Sequence, residues 1–252
     1  MGKKMRIMLP SQNSWVHNPS LIDILSLKEE TKPVISIVGA GGKTSTIEYL
    51  ASEYDSIRKK LLVTTTTHMF QPDTWAWCKE ESMELVDRYF EEENVLWLGI
   101  PCDNGKMKSP ETSFLEQLRK KNIPMIIEAD GSKRLPFKVP GEKEPVILEG
   151  SNIVIGVLGL DALGKPMNEV CFRYELAAKY LNKSEEDLIT REDYVNLIIS
   201  EYGLKKGIKK NMKYIVFLNK VDDELIEKEA LLIREMLDKC GFSNIYLSSY
   251  RV

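Results

Sequence analysis

Apolar positions along this chain fall into two patterns, short continuous runs and longer stretches with helical spacing. Continuous apolar runs rich in β-branched residues predict buried strands of a parallel sheet, at residues 34–38, 61–64, 95–98, 125–128, 152–158 and 215–218. Apolar residues three and four positions apart predict helices, at residues 21–25, 44–54, 81–90, 112–121 and 223–240. Residues 245–247 are expected to add a last strand at the edge of the sheet. Because strands and helices alternate, the pattern predicts an α/β fold: a three-layer sandwich in which helices cover both faces of a mainly parallel sheet.

Three segments depart from this alternation. Residues 1–20 are polar and irregular, so we expect a loose N-terminal arm before a single domain over residues 21–252. Residues 131–150 hold three prolines and three glycines, which favours a long ordered loop. Residues 167–210 predict two or three helices and no clear strand, and therefore a helical insertion in the domain.

A glycine-rich string joins the first predicted strand to the helix after it. Its residues are Gly39, Ala40, Gly41, Gly42, Lys43, Thr44 and Ser45. Backbone N–H groups that converge at such a turn, next to a helix N-terminus, form an anion site. Lys43 would reach the β- and γ-phosphates of a nucleotide, and Thr44 would offer its hydroxyl to Mg²⁺. The full Walker string requires a glycine at position 37, where this chain has Ile37. The alternative is a βα turn that binds nothing, but a plain turn has no need of Lys43 and Thr44.

Acidic residues end the strand predicted over residues 125–128. Glu128 and Asp130 project to the same side of that strand, because side chains alternate along it. Either one could hold Mg²⁺ or orient an attacking water molecule. The alternative is a turn at Asp130 and a surface ion pair at Glu128.

Two further groups of polar residues are expected at the same edge of the sheet. Thr67 and His68 follow the second predicted strand, and ligands of open α/β sheets bind at the carboxyl ends of strands. Lys133 belongs to a basic stretch, residues 131–138, that could clamp a phosphate. In both cases the alternative is a solvated polar loop.

The string Asn219-Lys220-Val221-Asp222 follows the strand predicted over residues 215–218. This string is typical of the guanine-reading loop of GTPases. Asp222 would accept hydrogen bonds from guanine, Lys220 would pack along the base and Asn219 would tie the loop together. Adenine lacks that pair of donors, so such a site selects GTP. The alternative is that Asp222 caps the helix that follows.

Composition narrows the possible functions. The formal net charge of −3 gives no electrostatic footprint of a nucleic-acid-binding protein. No run approaches the roughly 20 apolar residues of a membrane span. Four cysteines without a C-x-x-C pair and two histidines cannot assemble a structural zinc site. We therefore expect a cytoplasmic protein that binds neither nucleic acid nor a membrane.

Four strings occur together in a fixed order: VGAGGKTS, TTTTHM, EADGSKRLPFKVPGEKEPVI and LNKVD. In this combination the chain resembles the YqeC family of selenium-dependent hydroxylase accessory proteins, over about residues 20–250, and LDALGKP at residues 160–166 also fits. The resemblance implies a P-loop NTPase-like protein associated with maturation of a molybdenum hydroxylase or of its cofactor. The glycine loop also looks like that of Mur ligases, which use ATP. The expected ligands are therefore Mg²⁺ with GTP or ATP.

Three functions are compatible with these motifs. The first is an accessory protein that hydrolyses GTP or ATP. The second is a kinase or nucleotidyl transferase that acts on a small cofactor precursor. The third is a module that holds a nucleotide without turning it over.

Overall fold

The computed structural model describes residues 4–28 and 32–251. The strands in this part of the chain are β1 (Arg6–Met8), β2 (Trp15–His17), β3 (Val34–Gly39), β4 (Leu61–Thr65), β5 (His68–Phe70), β6 (Ala76–Cys78), β7 (Val95–Leu98), β8 (Ile100–Cys102), β9 (Lys106–Lys108), β10 (Met125–Glu128), β11 (Phe137–Lys138), β12 (Ile153–Gly159), β13 (Cys171–Phe172), β14 (Lys213–Asn219) and β15 (Ile245–Ser249). The helices are α1 (Leu21–Ile24), α2 (Lys43–Ser56), α3 (Met83–Glu92), α4 (Thr112–Arg119), α5 (Met167–Val170), α6 (Tyr174–Leu181), α7 (Arg191–Ile199) and α8 (Glu224–Lys239). Every strand and helix that the apolar pattern predicts is present, with ends within two residues of the predicted ones.

The central sheet has ten strands in the order β2-β1-β15-β14-β12-β3-β10-β4-β7-β6. The strands from β15 to β6 run parallel, whereas β1 pairs antiparallel with β15 and β2 antiparallel with β1. Strand β3 lies in the middle, where Ile37 is in register with Ile155 of β12 on one side and with Glu128 of β10 on the other. The loops that follow these three strands therefore open at the same edge of the sheet.

Helices cover both faces of the sheet. On one face Ile35 and Ile37 of β3 pack in the same apolar cluster as Leu50 of α2. On the other face Val38 shares a cluster with Ile233 of α8, and α3 and α4 cover the part of that face near β7. The predicted α/β sandwich with a mainly parallel sheet is confirmed. None of the helices in the described ranges is long and apolar enough to cross a membrane.

The N-terminal segment differs from its prediction. The expected loose arm is wrong for residues 6–17, because β1 and β2 extend the sheet there. Ile7 and Met8 are fully buried, and the indole N–H of Trp15 donates to Glu227 of α8 at 2.8 Å. The strand at Ile245–Ser249 was expected at the edge of the sheet. It lies inside the sheet instead, because β1 pairs with it. Strands of three residues are too short to show an alternating pattern.

Two small sheets lie outside the central one. Strands β5, β9 and β8 form a three-stranded antiparallel sheet just after the end of β4. Strand β11 pairs with β13, which ties the predicted long loop, residues 131–150, to the predicted helical insertion, residues 167–210. That insertion contains α5, α6 and α7 as expected, but also the short strand β13.

Candidate functional site

The glycine loop runs from the end of β3 to the start of α2. Gly39, Gly41 and Gly42 have φ angles of +99°, +75° and +149°. A Cβ atom on Gly39 would lie 2.2 Å from the carbonyl oxygen of Val157, and one on Gly41 would lie 2.5 Å from the backbone nitrogen of Gly159. Both glycines are therefore required by the close approach of the loop to β12 as well as by their backbone conformation.

The loop leaves the N-terminus of α2 open toward a cleft. Two N–H groups of the loop are already bonded to protein: Gly39 donates to Asp130 at 3.0 Å, and Ala40 donates to the carbonyl oxygen of Val157 at 2.8 Å. Gly42 occupies the capping position of α2, and no side chain among the described residues caps that helix. The positive end of the helix dipole therefore points into the cleft and can bind an anion.

Lys43 and Asp130 form the centre of a buried ionic network. The Lys43 ammonium donates to the Gly39 carbonyl oxygen at 2.6 Å and lies 3.0 Å from Asp130 Oδ1. On the other side, Lys138 Nζ lies 3.0 Å from Asp130 Oδ2. The exposed fractions of the Lys43, Asp130 and Lys138 side chains are 4%, 1% and 0%. Asp130 thus pairs with two buried cations and also binds the first N–H of the loop.

The same network reaches the helical insertion. Lys138 donates to Glu144 Oε2 at 2.8 Å, and Arg173 donates to both Glu144 oxygens, at 2.6 and 2.9 Å. Burial would raise the pKa of Glu144, but the hydrogen bonds from Arg173 and Lys138 outweigh it and hold that pKa at about 2. The glycine loop is therefore linked by a chain of paired charges to Arg173, the residue before α6.

Lys43 stays protonated in this environment. Burial alone would lower its pKa, but the negative charges of Asp130 and Glu128 outweigh burial, and the pKa of Lys43 is raised. Lys43 is consequently a fixed positive charge in the wall of the cleft.

Glu128 differs from Asp130 although both belong to the end of β10. Its side chain is 7% exposed, and its Oε2 atom has no hydrogen-bond partner within the part of the chain that the structure describes. Burial raises the pKa of Glu128 to about 7, with Asp130 adding to the rise and Lys43 opposing it. A carboxyl group with such a pKa can accept a proton near neutral pH. Asp130 therefore holds the loop, while Glu128 faces the cleft.

The cleft has a volume of about 890 Å³ and collects residues from distant segments. The predicted site residues that line it are Gly41, Gly42, Lys43, Thr44, Ser45, Thr67, His68, Glu128, Lys133 and Lys220. The other predicted site residues lie behind or beside this wall: Gly39, Ala40, Asp130, Asn219 and Asp222. The carboxyl ends of parallel strands thus bring most of the predicted residues together, as expected.

Several lining residues were not predicted. Phe70 and Lys106 enter the cleft from the small sheet of β5, β9 and β8, and Phe172 enters from β13. Glu144 lines the cleft as well. No local motif marks Phe70, Lys106 or Phe172, because they reach the cleft through the pairing of short strands, whereas Glu144 lies within the string of residues 128–147.

Asn219 ties the loop after β14 to the glycine loop. Its side-chain amide donates to the Gly41 carbonyl oxygen at 2.8 Å and accepts from the Ser248 hydroxyl at 3.0 Å. A Cβ atom on Gly42 would lie only 2.1 Å from the Asn219 amide nitrogen. The sequence predicts that Asn219 ties its own loop together; in the structure its side chain joins that loop to the glycine loop.

Lys220 and Asp222 occupy different surroundings. Lys220 adopts a left-handed conformation with φ of +63°, and its ammonium contacts Asp161 at 2.7 Å at the margin of the cleft. Asp222 accepts from the Ser249 hydroxyl at 2.6 Å. The cap of α8 is Asp223, which accepts from the N–H of Ile226 at 2.9 Å. The alternative role of Asp222 as the helix cap is therefore wrong.

A second cavity lies at the opposite edge of the sheet. Its volume is about 580 Å³, and Pro33, Lys60 and Pro124 line it just before β3, β4 and β10 begin. It contains none of the predicted site residues. The cleft at the glycine loop is therefore the better candidate for a functional site.

Comparisons with known proteins identify one family and no structural neighbour. Residues 35–175 match the family described as YqeC protein. The chain is 31% identical over 210 residues to the "Uncharacterized protein YqeC" of Escherichia coli (strain K12), covering 81% of this chain and 82% of that protein. It is also 35% identical over 95 residues to the tRNA uridine 5-carboxymethylaminomethyl modification enzyme MnmG of Clostridium botulinum, covering 38% of this chain but only 14% of that enzyme. No solved structure matches the chain.

Replacing Asp130 tests the buried network. The Asp130→Asn variant leaves the buried Lys43 ammonium without its paired carboxylate and Lys138 with Glu144 alone, which costs about 3–5 kcal/mol of unfolding free energy. Urea unfolding measures the loss. The matched control is Asp87→Asn, since Asp87 is an exposed carboxylate paired with Lys121 and such pairs contribute about 0–1 kcal/mol. A loss in Asp130→Asn as small as that of the control would contradict the proposed role of Asp130.

Replacing Glu128 tests its raised pKa. The pKa of Glu128 is about 7 in the folded chain, against an ordinary value of 4.5. The folded state therefore prefers the protonated form. This contribution to stability is complete below pH 4.5 and is lost as the pH rises through 7. We expect Glu128→Gln to gain stability relative to the unmodified protein over that range, by about 1.4 kcal/mol for each pH unit that separates the folded pKa from the ordinary one.

Urea unfolding at several pH values between 4 and 9 measures this difference. Glu142→Gln is the control, because Glu142 is exposed in the 131–150 loop. Stability curves of Glu128→Gln and the unmodified protein that run parallel across the range would show that the Glu128 pKa is not raised.

Proposed function

The chain belongs to the YqeC family, and from that premise we propose that it is a magnesium-dependent nucleoside triphosphatase of the P-loop type. One observation carries the proposal: a single cleft gathers the glycine loop, Glu128 and Lys220 from three separate parts of the chain. A plain βα turn would need neither a buried lysine nor a carboxylate opposite it. The mainly parallel sheet with helices on both faces also supports a P-loop type of fold.

The phosphate groups of the nucleotide would lie at the N-terminus of α2. Backbone N–H groups from Gly41 onward and the helix dipole attract negative charge there. Lys43 adds a permanent cation beside them. The Gly39 carbonyl oxygen and Asp130 contact the Lys43 ammonium and fix its position at the wall of the cleft.

The donor atoms in the cleft fit Mg²⁺. This ion prefers oxygen ligands and keeps several water molecules. Thr44 is exposed in the cleft and supplies a hydroxyl, while Glu128 supplies the buried oxygen that lacks a partner. Thr44 and Glu128 would therefore hold Mg²⁺, which when bound neutralises charge on the phosphates. Asp130 is a poorer candidate, because both its oxygens already contact Lys43, Lys138 and Gly39.

Glu128 also has the properties of the proton acceptor. Its carboxyl group is buried next to Lys43 and has a pKa of about 7. As an alternative to holding the metal, it can therefore orient a water molecule and accept its proton as that water attacks the terminal phosphate. His68 is exposed at the same cleft, so we keep it as a contact to the ligand.

The geometry of the loop after β14 favours GTP over ATP. Asn219 joins this loop to the glycine loop, and Ser249 orients Asp222. A carboxylate held in this way has further lone pairs that can accept from the two donors of guanine, a pair of donors that adenine lacks.

The family resemblance supports the last part of the proposal. We propose that nucleotide hydrolysis releases a molybdenum hydroxylase, or an intermediate of its cofactor, from this accessory protein in the cytoplasm. Thr67 and Lys133 line the same cleft as the glycine loop. A bound nucleotide would order the segments that carry them, and hydrolysis would release those segments again.

A turnover assay separates the three candidate functions. Phosphate release from GTP or ATP with Mg²⁺ alone supports hydrolysis. Release that requires an added small acceptor supports a kinase or nucleotidyl transferase. Tight binding without turnover supports a module that only holds the nucleotide, and it would refute the hydrolase assignment.

Removing the Thr44 hydroxyl should weaken the dependence on Mg²⁺. We expect Thr44→Ala to bind Mg²⁺-GTP about tenfold or more weakly, since one charge-assisted contact is lost, and to keep its stability because Thr44 is exposed. Calorimetric titration with and without Mg²⁺ measures the affinity. Thr112→Ala, which alters an exposed threonine in the first turn of α4, is the control. If the GTP affinity of Thr44→Ala depends on Mg²⁺ as strongly as that of the unmodified protein, Thr44 does not hold the metal.

Changing Asp222 should change the preferred base. An amide at this position can donate to the 2-oxo group of xanthine, so Asp222→Asn should move the preference from GTP toward XTP by about tenfold or more. Competition between GTP, ATP and XTP measures the preference. Asp223→Asn is the neighbouring control, because asparagine keeps the cap of α8. Equal affinity of the unmodified protein for GTP and ATP would refute guanine reading.

A further inference from the structure

The cleft extends well beyond the glycine loop. Strands β14 and β4 lie on opposite sides of β3, each two strands away, so they are about 19 Å apart across the sheet. A nucleotide whose base lies at the end of β14 has its terminal phosphate near the loop after β3. The half of the cleft on the β4 side, which we call the distal half, therefore lies beyond that phosphate.

Two cations of the 131–150 loop line the cleft and lie against different aromatic rings. Lys133 and Arg134 both adopt left-handed conformations, with φ of +49° and +66°. The Arg134 guanidinium carbon lies 4.1 Å from the centre of the Phe70 ring, whereas the Lys133 ammonium lies 5.1 Å from the centre of the Phe172 ring. A third cation, Lys106, lies 5.3 Å from the centre of the same Phe70 ring.

These three cations differ from the buried ones in having no countercharge. Within residues 4–28 and 32–251, no carboxylate lies at ion-pair distance from Lys106, Lys133 or Arg134. A ring face attracts a cation but does not neutralise its charge. The lining carboxylate that lies in sequence next to the small sheet is Asp73, which is exposed. Glu48, Glu128 and Glu144 also line the cleft, but within the described ranges none of the four carboxylates forms an ion pair with these three cations, so the cations can bind an anion.

We propose that the distal half binds a second ligand, a phosphorylated small molecule, through Arg134, Lys106 and Lys133. This inference rests on the proposed function, since it takes the nucleotide to occupy the other half. A guanidinium group binds two oxygens of a phosphate at once. Arg134 and Lys106 both contact the Phe70 ring, a contact that does not use their N–H donors, so those donors remain available to the ligand.

The position of Arg134 favours a second ligand over the nucleotide's own phosphate. Arg134 is stacked on Phe70 of β5, which extends from the end of β4. It is thus fixed to the small sheet and not to the glycine loop. The terminal phosphate of the nucleotide would then lie between the glycine loop and the second ligand.

Calorimetric titration with 1-naphthyl phosphate tests the inference. The protein is first saturated with Mg²⁺ and a non-hydrolysable GTP analogue, which blocks the glycine loop. We expect saturable binding of the probe, with 1-naphthol bound about tenfold or more weakly because it lacks the phosphate. Arg134→Ala should lower the affinity for the probe by a similar factor and leave the affinity for the GTP analogue unchanged. Arg88→Ala, which removes an exposed arginine of α3, should change neither.

Two results would overturn the inference. One is loss of probe binding whenever the analogue is present, which would mean that the probe only occupies the glycine loop. The other is an Arg134→Ala variant that binds the probe normally or loses affinity for the analogue to the same extent. If the analogue itself does not bind, the proposed function fails, and titration of the probe into the nucleotide-free protein and Arg134→Ala still decides whether the distal half binds phosphate.

Discussion

The buried carboxylate of Asp130 is the interaction on which the candidate site depends. It binds the N–H of Gly39 and pairs with both Lys43 and Lys138, all of them removed from water. Burying one charge without a partner is costly, whereas this set compensates itself through short contacts. Lys138 also forms an ion pair with Glu144. The position of the glycine loop is therefore coupled to the 131–150 loop, which contacts the helical insertion.

The network also explains why two carboxylates at one strand end have different properties. Asp130 is saturated with donors, so it is suited to hold the loop. Glu128 lies next to the same charges but keeps an oxygen without a partner, and its pKa rises to about 7. Similar residues thus become a structural group and a candidate reactive group through differences in their contacts, an arrangement common at sites where pKa values are tuned.

Local pattern was sufficient for most of the fold. The buried strand before Gly39 and the helix after Lys43 follow from apolar periodicity, and the glycine loop between them follows from its own residues. The same reasoning missed β1 and β2, because strands of three residues show no clear period. It also placed β15 at the edge of the sheet, since the partner strand at Arg6–Met8 lies more than two hundred residues away.

The sequence by itself determined the α/β class, the glycine loop and the acidic pair at the end of β10, because each depends on neighbours in the chain or on a short motif. Only the tertiary structure decided that Asp130 is enclosed while Glu128 faces the cleft. It likewise brought Phe70 and Arg134 together at 4.1 Å. These features depend on burial and on contacts between distant segments, and neither burial nor long-range pairing is encoded in any local pattern of residues.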